Sequence, residues 1–219
     1  MFLPLSDTSL QLLPELAAFD TSGQTLFVAD LHLGKAAAFR DAGLPLPDGS
    51  DAETLHALSA LIRDLKARRL VILGDVFHAR ISHREALHAL LRDWLGSHRD
   101  LKLAIVPGNH DRKIRWDEWF PEADILTPGT AVGNCLLHHQ PPETTPKTGI
   151  ALCGHLHPGI SLSRRGVRGV TAPCFRLQEN VLTLPAFGSF TGLSVLARVA
   201  GDRFFVSVRK QVVEVPVPH

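Results

Sequence analysis

Five short turns carry most of the residues in this chain that can hold a cation or move a proton. They are Asp30-Leu31-His32, Gly74-Asp75, Gly108-Asn109-His110-Asp111, His138-His139 and Gly154-His155-Leu156-His157. Asp, Asn and His are hard or borderline oxygen and nitrogen ligands, suited to Mn2+, Fe or Zn2+. No cysteine falls in any of the turns, which argues against a structural zinc site. In an extended segment residues i and i+2 share a face, so Asp30 with His32, and His155 with His157, can each direct two donors to one side. Asp75 ends its run alone, as a bridging carboxylate would. With Asn109 and one further imidazole the donors number seven, enough for two ions sharing a bridge. Two divalent ions about 3.5–4 Å apart clamp the attacking and leaving oxygens of an in-line phosphoryl displacement. A departing sugar oxygen needs a proton, and imidazole is the usual donor near neutral pH.

Such turns need a scaffold that delivers them to one place. Short apolar runs precede them at Thr25–Ala29, Leu70–Leu73, Leu103–Val106, Asn134–Leu137 and Ile150–Cys153, and each reads as a strand. Open α/β sheets bind ligands at the carboxyl ends of their strands. Residues 5–29 break at Pro14 and at Ser22-Gly23, suggesting an opening β-hairpin. Residues 34–50 contain Gly43, Pro45, Pro47 and Gly49 and read as a loop over the site. Ser50 or Asp51 caps an expected helix to about Arg69, with Leu55, Leu58, Leu61, Ile62 and Leu65 at helical spacing. Ser82 and Glu85 resemble a capping box for a second helix to about Ser97, with Leu87, Leu90, Leu91, Trp94 and Leu95 as its stripe. Beyond about residue 130, runs at 167–170, 181–184, 193–199, 203–208 and 211–215 come at hairpin spacing. The expected fold is one α/β domain spanning 1–219, with two sheets face to face and helices outside.

Composition narrows the function classes. With 219 residues, 45% hydrophobic, the chain can bury a substantial core. Charged residues at 21% and a mean hydropathy of +0.08 point neither to disorder nor to a membrane protein. No apolar run approaches the roughly 20 residues of a spanning helix, and Met1–Leu5 lacks a basic, signal-like start. A soluble, cytoplasmic protein is expected. Cys135, Cys153 and Cys174 are an odd, widely spaced set, better suited to inert burial than to disulfides or redox work. The net charge of +1 excludes a basic nucleic-acid coat, so any such contact is local. Basic residues do flank the turns: Lys35 and Arg40, then Arg112, Lys113 and Arg115, then Arg164, Arg165 and Arg168. Three such groups around one site favour a polyanion. Trp116, Trp119 and Phe120 suit core packing better than base stacking. His78 suits a supporting contact or ordinary packing, and His56, His83, His88, His98 and His219 read as surface or terminal residues.

The turns D-x-H, G-D, G-N-H-D, H and G-H-x-H, in this order over about residues 26–157, resemble the calcineurin-like metallophosphoesterase superfamily. More narrowly, Ala29–Lys35, the Phe39-Arg40…Gly43–Pro47 stretch, Gly154–Pro158 and Leu184–Gly192 resemble the bacterial DNA-ligase-associated metallophosphoesterases across nearly the whole chain. That resemblance implies a four-layer α/β/β/α sandwich of two mixed sheets flanked by helices. It implies Asp30, His32 and His157 on one metal, Asn109, His138 and His155 on the other, and Asp75 bridging. The family pattern favours His138 over His139, and Gln140 replaces the second family histidine. A further implication is His110 as general acid with Asp111 orienting it; Lys35, Arg40, His78, Arg112 and Lys113 are expected toward substrate from their places beside the turns. The implied activity is that of a two-metal phosphodiesterase, most readily with Mn2+, cutting single-stranded DNA in repair beside an ATP-dependent DNA ligase and a helicase. A small-molecule phosphatase or cyclic-nucleotide phosphodiesterase would carry the same motifs. A non-catalytic scaffold would have lost some of them. Apolar residues in the Val195–Val217 tail suit either a homodimer or a last sheet.

Overall fold

The computed structural model describes residues 1–5, 8–78, 81, 83–164, 167–197 and 199–216. Four opening strands, β1 (Phe2–Leu5), β2 (Thr8–Leu12), β3 (Ala18–Asp20) and β4 (Thr25–Ala29), form an antiparallel meander where a single hairpin was expected. Asp20 closes the last of these turns, its carboxylate accepting the Ser22 and Gly23 N–H groups at 3.0 and 3.1 Å. The chain then switches to parallel pairing, β4 with β5 (Arg69–Leu73), β5 with β6 (Lys102–Val106), and β6 with β7 (Asp124–Ile125).

Helices make the crossovers: α1 (Lys35–Asp41), α2 (Ser50–Leu65), α3 (Arg84–Gly96) and the single turn α4 (Trp116–Trp119). The segment expected to be a loop therefore begins as a helix, because Ala36, Ala37 and Ala38 favour one before Gly43 ends it. Helix α2 stops four residues short of Arg69 at a left-handed Lys66, leaving Arg69 to open β5. Ser82, half of the expected capping box, lies outside the described residues.

Alternation along the parallel strands builds two cores. Leu26, Val28, Leu70, Ile72, Leu103 and Ile105 face Leu58, Leu87, Leu91 and Trp94 of the helices, with Trp119 and Phe120 packed into the same layer. Phe27, Ala29, Val71, Leu73, Ala104 and Val106 face the second sheet. Full burial of one such large side chain is worth about 1.5–3 kcal/mol. A one-residue slip would exchange the two faces, so the register is tightly specified.

The second sheet contains β8 (Thr130–Val132), β9 (Cys135–Leu137), β10 (Ile150–Cys153), β11 (Pro158–Arg164), β12 (Val167–Gln178), β13 (Val181–Thr183) and β14 (Ser194–Val195), followed by β15 (Arg203–Val208) and β16 (Gln211–Val215). Its order is β14-β11-β12-β13-β10-β9-β8, with β15 against β12 and β16 on β15. Parallel pairs (β9 with β10, β10 with β13) sit among antiparallel ones, so both sheets are mixed, as expected for this α/β architecture. Strand β12 runs through Pro173, which reads in sequence as a breaker, and β11 was not foreseen.

The helices and the two mixed sheets are those expected of this α/β class, and a helical layer over the second sheet would have to come from the chain after β7. Among the described residues no helix follows Trp119, so helices cover the first sheet and not the second. The segments after residue 130 repeat at period two, which leaves no long amphipathic stretch to form that layer. In the tail, Phe204, Phe205 and Val206 are buried in sheet packing, while Val195, Val199, Val208 and Val213 stay exposed. Among the described residues no helix is long and apolar enough to cross a membrane.

All three cysteines are buried and free, and burial pushes each thiol up to about 12. The thiolate is the reactive form. Native protein is therefore expected to leave a thiol-specific disulfide reagent unreacted, with all three sulfurs reacting once the chain is unfolded in guanidinium. Fast native labelling would show that the inter-sheet core opens locally.

Candidate metal centre

The turns after β4, β5, β6, β9 and β10 converge beside the carboxyl ends of the parallel strands. Backbone bonds fix their approach: Asp30 N–H donates to Gly74 O at 3.2 Å and His32 N–H to Asp75 O at 2.9 Å. A segment after β13 joins the sheets at the same point. Phe187 N–H donates to Ala29 O at 2.8 Å and Gly188 N–H to Asp30 O at 3.2 Å. A Cβ at Gly188 would lie 2.0 Å from Leu31 O, so only glycine permits this approach. That accounts physically for a glycine within the Leu184–Gly192 stretch.

Two groups of donors result, one of Asp30, His32 and His157, the other of Asp75, His139 and His155, with the donor atoms in each within 4.8 Å of one another. In the first, His32 Nε2 lies 3.2 Å from His157 Nε2, which is 3.7 Å from Asp30 Oδ2. In the second, His139 Nε2 lies 3.1 Å from His155 Nδ1 and 3.6 Å from Asp75 Oδ1, with Asn109 Oδ1 at 2.9 Å. The groups adjoin, since His139 Nδ1 is 3.7 Å from Asp30 Oδ1.

Backbone conformation matters here. Asp30, His32, Asp75, His155 and His157 all have φ between 42° and 66°, the left-handed region. Such conformations are uncommon outside glycine, although Asp, Asn and His tolerate them best, and they cluster at functional sites. The pairs Asp30/His32 and His155/His157 are thus not extended. Asp30 and His32 enter one group, whereas His155 and His157 part to different groups. That split corrects the shared-face argument; the family resemblance had implied His157 with Asp30 and His32, and His155 in the other group.

The remaining histidine is His139. His138 and His139 occupy the chain end just past β9, where His138 N–H bonds Leu152 O and Gly154 N–H bonds His139 O. Successive side chains of an extended segment point to opposite faces, so one imidazole enters the centre and the other leaves it. The structure brings in His139, which is 4% exposed, in place of the expected His138.

The electrostatics suit cations. Burial, with the Asp75 and Asp111 carboxylates nearby, raises Asp30 well above the usual carboxylate range. Burial first, then Lys35 and the surrounding imidazoles, drives His32 down to about 2, and burial lowers His139 and His157. The imidazoles are thereby held neutral with lone pairs available. Among the described residues the ion-pair partners of Asp30 and Asp75 are histidines, and the buried Asp30 Oδ1 has no hydrogen-bond partner. Buried carboxylates without compensating charge are costly. His139 Nδ1–H donates to Leu73 O at 3.2 Å and His157 Nδ1–H to Gly192 O at 3.3 Å, which turns each Nε2 lone pair inward. A carbonyl behind the ring is the usual support of a metal-binding histidine. The donor set fits two hard or borderline divalent cations.

His110 stands at the mouth, its side chain 31% exposed and its Nε2 3.8 Å from Asp75 Oδ2. Its ring meets His32 edge-on with centroids 5.3 Å apart and stacks on His78 at 5.9 Å. Asp111 does not orient it directly. The Asp111 carboxylate accepts the N–H groups of Gly108, Val76 and Phe77 at 2.9–3.2 Å, and His110 Nδ1 has no hydrogen-bond partner. Asp111 instead ties the Asp75 turn to the Asn109 turn. Gly108 serves the same contact, because a Cβ there would lie 2.1 Å from Asp75 Oδ1 and 2.3 Å from Asp75 N. We expect Gly108→Ala to lower metal affinity by about 10–100-fold, as disturbed support behind a ligand does, measured by titration with Mn2+. Unchanged affinity would show that the two turns are not coupled.

The basic residues fare differently. Lys35 Nζ lies 5.8 Å from the Phe39 ring centre, and burial lowers its pKa against the pull of Asp30 and Asp75. The Arg40 guanidinium is held by Asp48 and Pro47 O at 2.9 Å, away from any role in the cluster. Arg112 and Lys113 are exposed, and Arg115 pairs with Asp117 and Glu118. The side chains of Arg164 and Arg168, and all of Arg165, lie outside the described residues. Trp119 and Phe120 are core residues, and Trp116 packs on Phe77. His88 and His98 bond nearby carbonyls, and His83 faces Asp41.

Comparison with known proteins identifies the family. The calcineurin-like phosphoesterase family pattern matches residues 23–156. The crystal structure of Pseudomonas putida nuclease MPE is similar at 30% identity, covering 97% of this chain and 99% of that one, with a TM-score of 0.80. Yfce, a phosphoesterase from E. coli, is 16% identical over 87% of this chain and 97% of its own, with a TM-score of 0.46. No curated protein matches the chain. The family match takes in both donor groups except His157, one residue past its end, and on it the chain belongs to the calcineurin-like phosphoesterases and is a metal-dependent phosphoesterase.

Proposed function

We propose that this protein is a two-metal phosphodiesterase that cuts DNA, acting as an endonuclease on single strands. The reading is carried by His110, an accessible imidazole beside two complete donor groups, in a chain similar throughout its length to a nuclease. Asp30, His32 and His157 would hold one cation, and His139, His155 and Asn109 the other, with Asp75 between them. Two such cations supply Lewis acidity and a nucleophilic water at neutral pH. The mixed carboxylate, imidazole and amide set suits Mn2+, and also Fe or Zn2+.

The chain's own groups do the rest. Asp111 and the backbone of residues 74–77 hold the centre's walls at fixed separation. Lys35 and His78, on the His32 side, offer positive charge and a donor to the phosphate oxygens. His110 Nε2 gives its proton to the departing sugar oxygen, which would otherwise leave as a strongly basic alkoxide. Work beside a DNA ligase and a helicase in repair is consistent with the subfamily resemblance of the Ala29–Lys35 and Leu184–Gly192 stretches.

The test compares a chromogenic phosphodiester with a phosphomonoester in Mn2+, then linear with circular single-stranded DNA. Diester cleavage and opening of the circle are expected. Cleavage of the monoester alone would overturn the proposal in favour of a small-molecule phosphatase. Activity confined to cyclic nucleotides would favour that second class of diesterase.

A further inference from the structure

Beside the second donor group lies a groove of about 560 Å3, within the size range of pockets that hold small organic ligands. Asn109 and His139, both in the metal centre, also form part of its wall, so groove and centre are continuous. Four prolines stiffen the rest, and Arg112 and His138 bring a cation and an imidazole to it.

Both polar groups are uncommitted. Several other arginines are taken, Arg40 by Asp48, Arg84 by Glu118, and Arg115 by Asp117 and Glu118. Among the described residues Arg112 is exposed and has neither hydrogen bond nor ion pair, and the His138 ring has no hydrogen bond. His138 is there because its neighbour His139 turned inward. Its ring packs toward Gly129, with Cε1 3.9 Å from where a Cβ on that glycine would sit. A planar guanidinium matches phosphate oxygens bidentately, and an imidazole can donate to or accept from a sugar or a base edge. Gln140 and Glu143 add further polar groups along the wall.

We propose that this groove seats the nucleotide adjoining the scissile phosphodiester, with Arg112 on its phosphate and His138 on its sugar or base. The inference rests on the DNA-cleaving reading above. It makes the histidine displaced from the metal centre a determinant of polynucleotide over small-diester substrates.

The experiment uses the Mn2+-loaded full chain, a single-stranded oligonucleotide and bis(p-nitrophenyl) phosphate, which carries neither the further phosphate nor the sugar and base that Arg112 and His138 would meet. For each variant the ratio of kcat/KM on the two substrates is measured, along with the salt dependence of kcat/KM on the oligonucleotide. His138→Ala is expected to lower the ratio by up to about 10-fold, the value of one hydrogen bond. Arg112→Gln is expected to flatten the plot of log kcat/KM against log salt by about 0.7 between roughly 50 and 200 mM, one single-strand phosphate contact. A ratio within about twofold of the unsubstituted protein's, together with an unchanged slope, would overturn the groove while leaving DNA cleavage standing. If the unsubstituted protein cuts the small diester but no oligonucleotide, the DNA reading itself falls and the groove with it.

Discussion

Replacing His110 with alanine is expected to slow oligonucleotide cleavage by about 10²–10⁴-fold, the usual contribution of a positioned general acid. The same variant should lose far less on bis(p-nitrophenyl) phosphate. A nitrophenolate departs without a proton, whereas a sugar oxygen must receive one. The geometry supports this division of labour. His110 is outside both donor groups, so its removal leaves the cation ligands in place. Its Nε2 faces Asp75 from the solvent side, and contacts with His78 and His32 hold the ring without fixing it by a hydrogen bond. Metal content, measured by elemental analysis, should therefore match that of the unsubstituted protein. Equal losses on both substrates would show that His110 acts on binding or structure and not as the acid.

The second large effect concerns the adjacent histidines. His139→Ala is expected to lose one of the two ions, weakening its binding by more than the roughly 100-fold that disturbed support behind a ligand can cost. Activity should fall with it. His138→Ala should keep both ions at full occupancy. The contrast follows from position: His139 Nε2 meets Asn109, His155 and Asp75 within 3.6 Å, and His138 belongs to no donor group. Asp75→Ala, which removes the carboxylate proposed as the bridge, should abolish the pairing of ions. Metal retained by His139→Ala and lost by His138→Ala would reverse the assignment. Two ions bound at full occupancy without Asp75 would end its bridging role.

Much of the scaffold follows from local pattern. Strands β4, β10, β15 and β16 run where apolar or alternating stretches place them, and α2 and α3 follow leucine spacing. Helix α1 was hidden because prolines and glycines a few residues on made the whole segment read as a loop. Strand β11 was hidden behind the last metal turn, where the polar serines at 161 and 163 give no apolar run.

Residue type and order in the five turns were enough to indicate a site for two cations, because few arrangements of Asp, Asn and His after strands serve any other chemistry. What local pattern could not decide was direction. Whether His138 or His139 enters the centre, and whether His155 and His157 share an ion, depends on φ and ψ at single residues. Those angles are set by partners far away in the chain, such as Leu152 O behind His138 and the Asp30 carboxylate that accepts the His155 N–H at 2.7 Å. Asp111 is the same case: in sequence it adjoins His110, but in space three N–H groups from two turns claim its oxygens. A side chain's identity is written locally, whereas its aim is a property of the packed sheets.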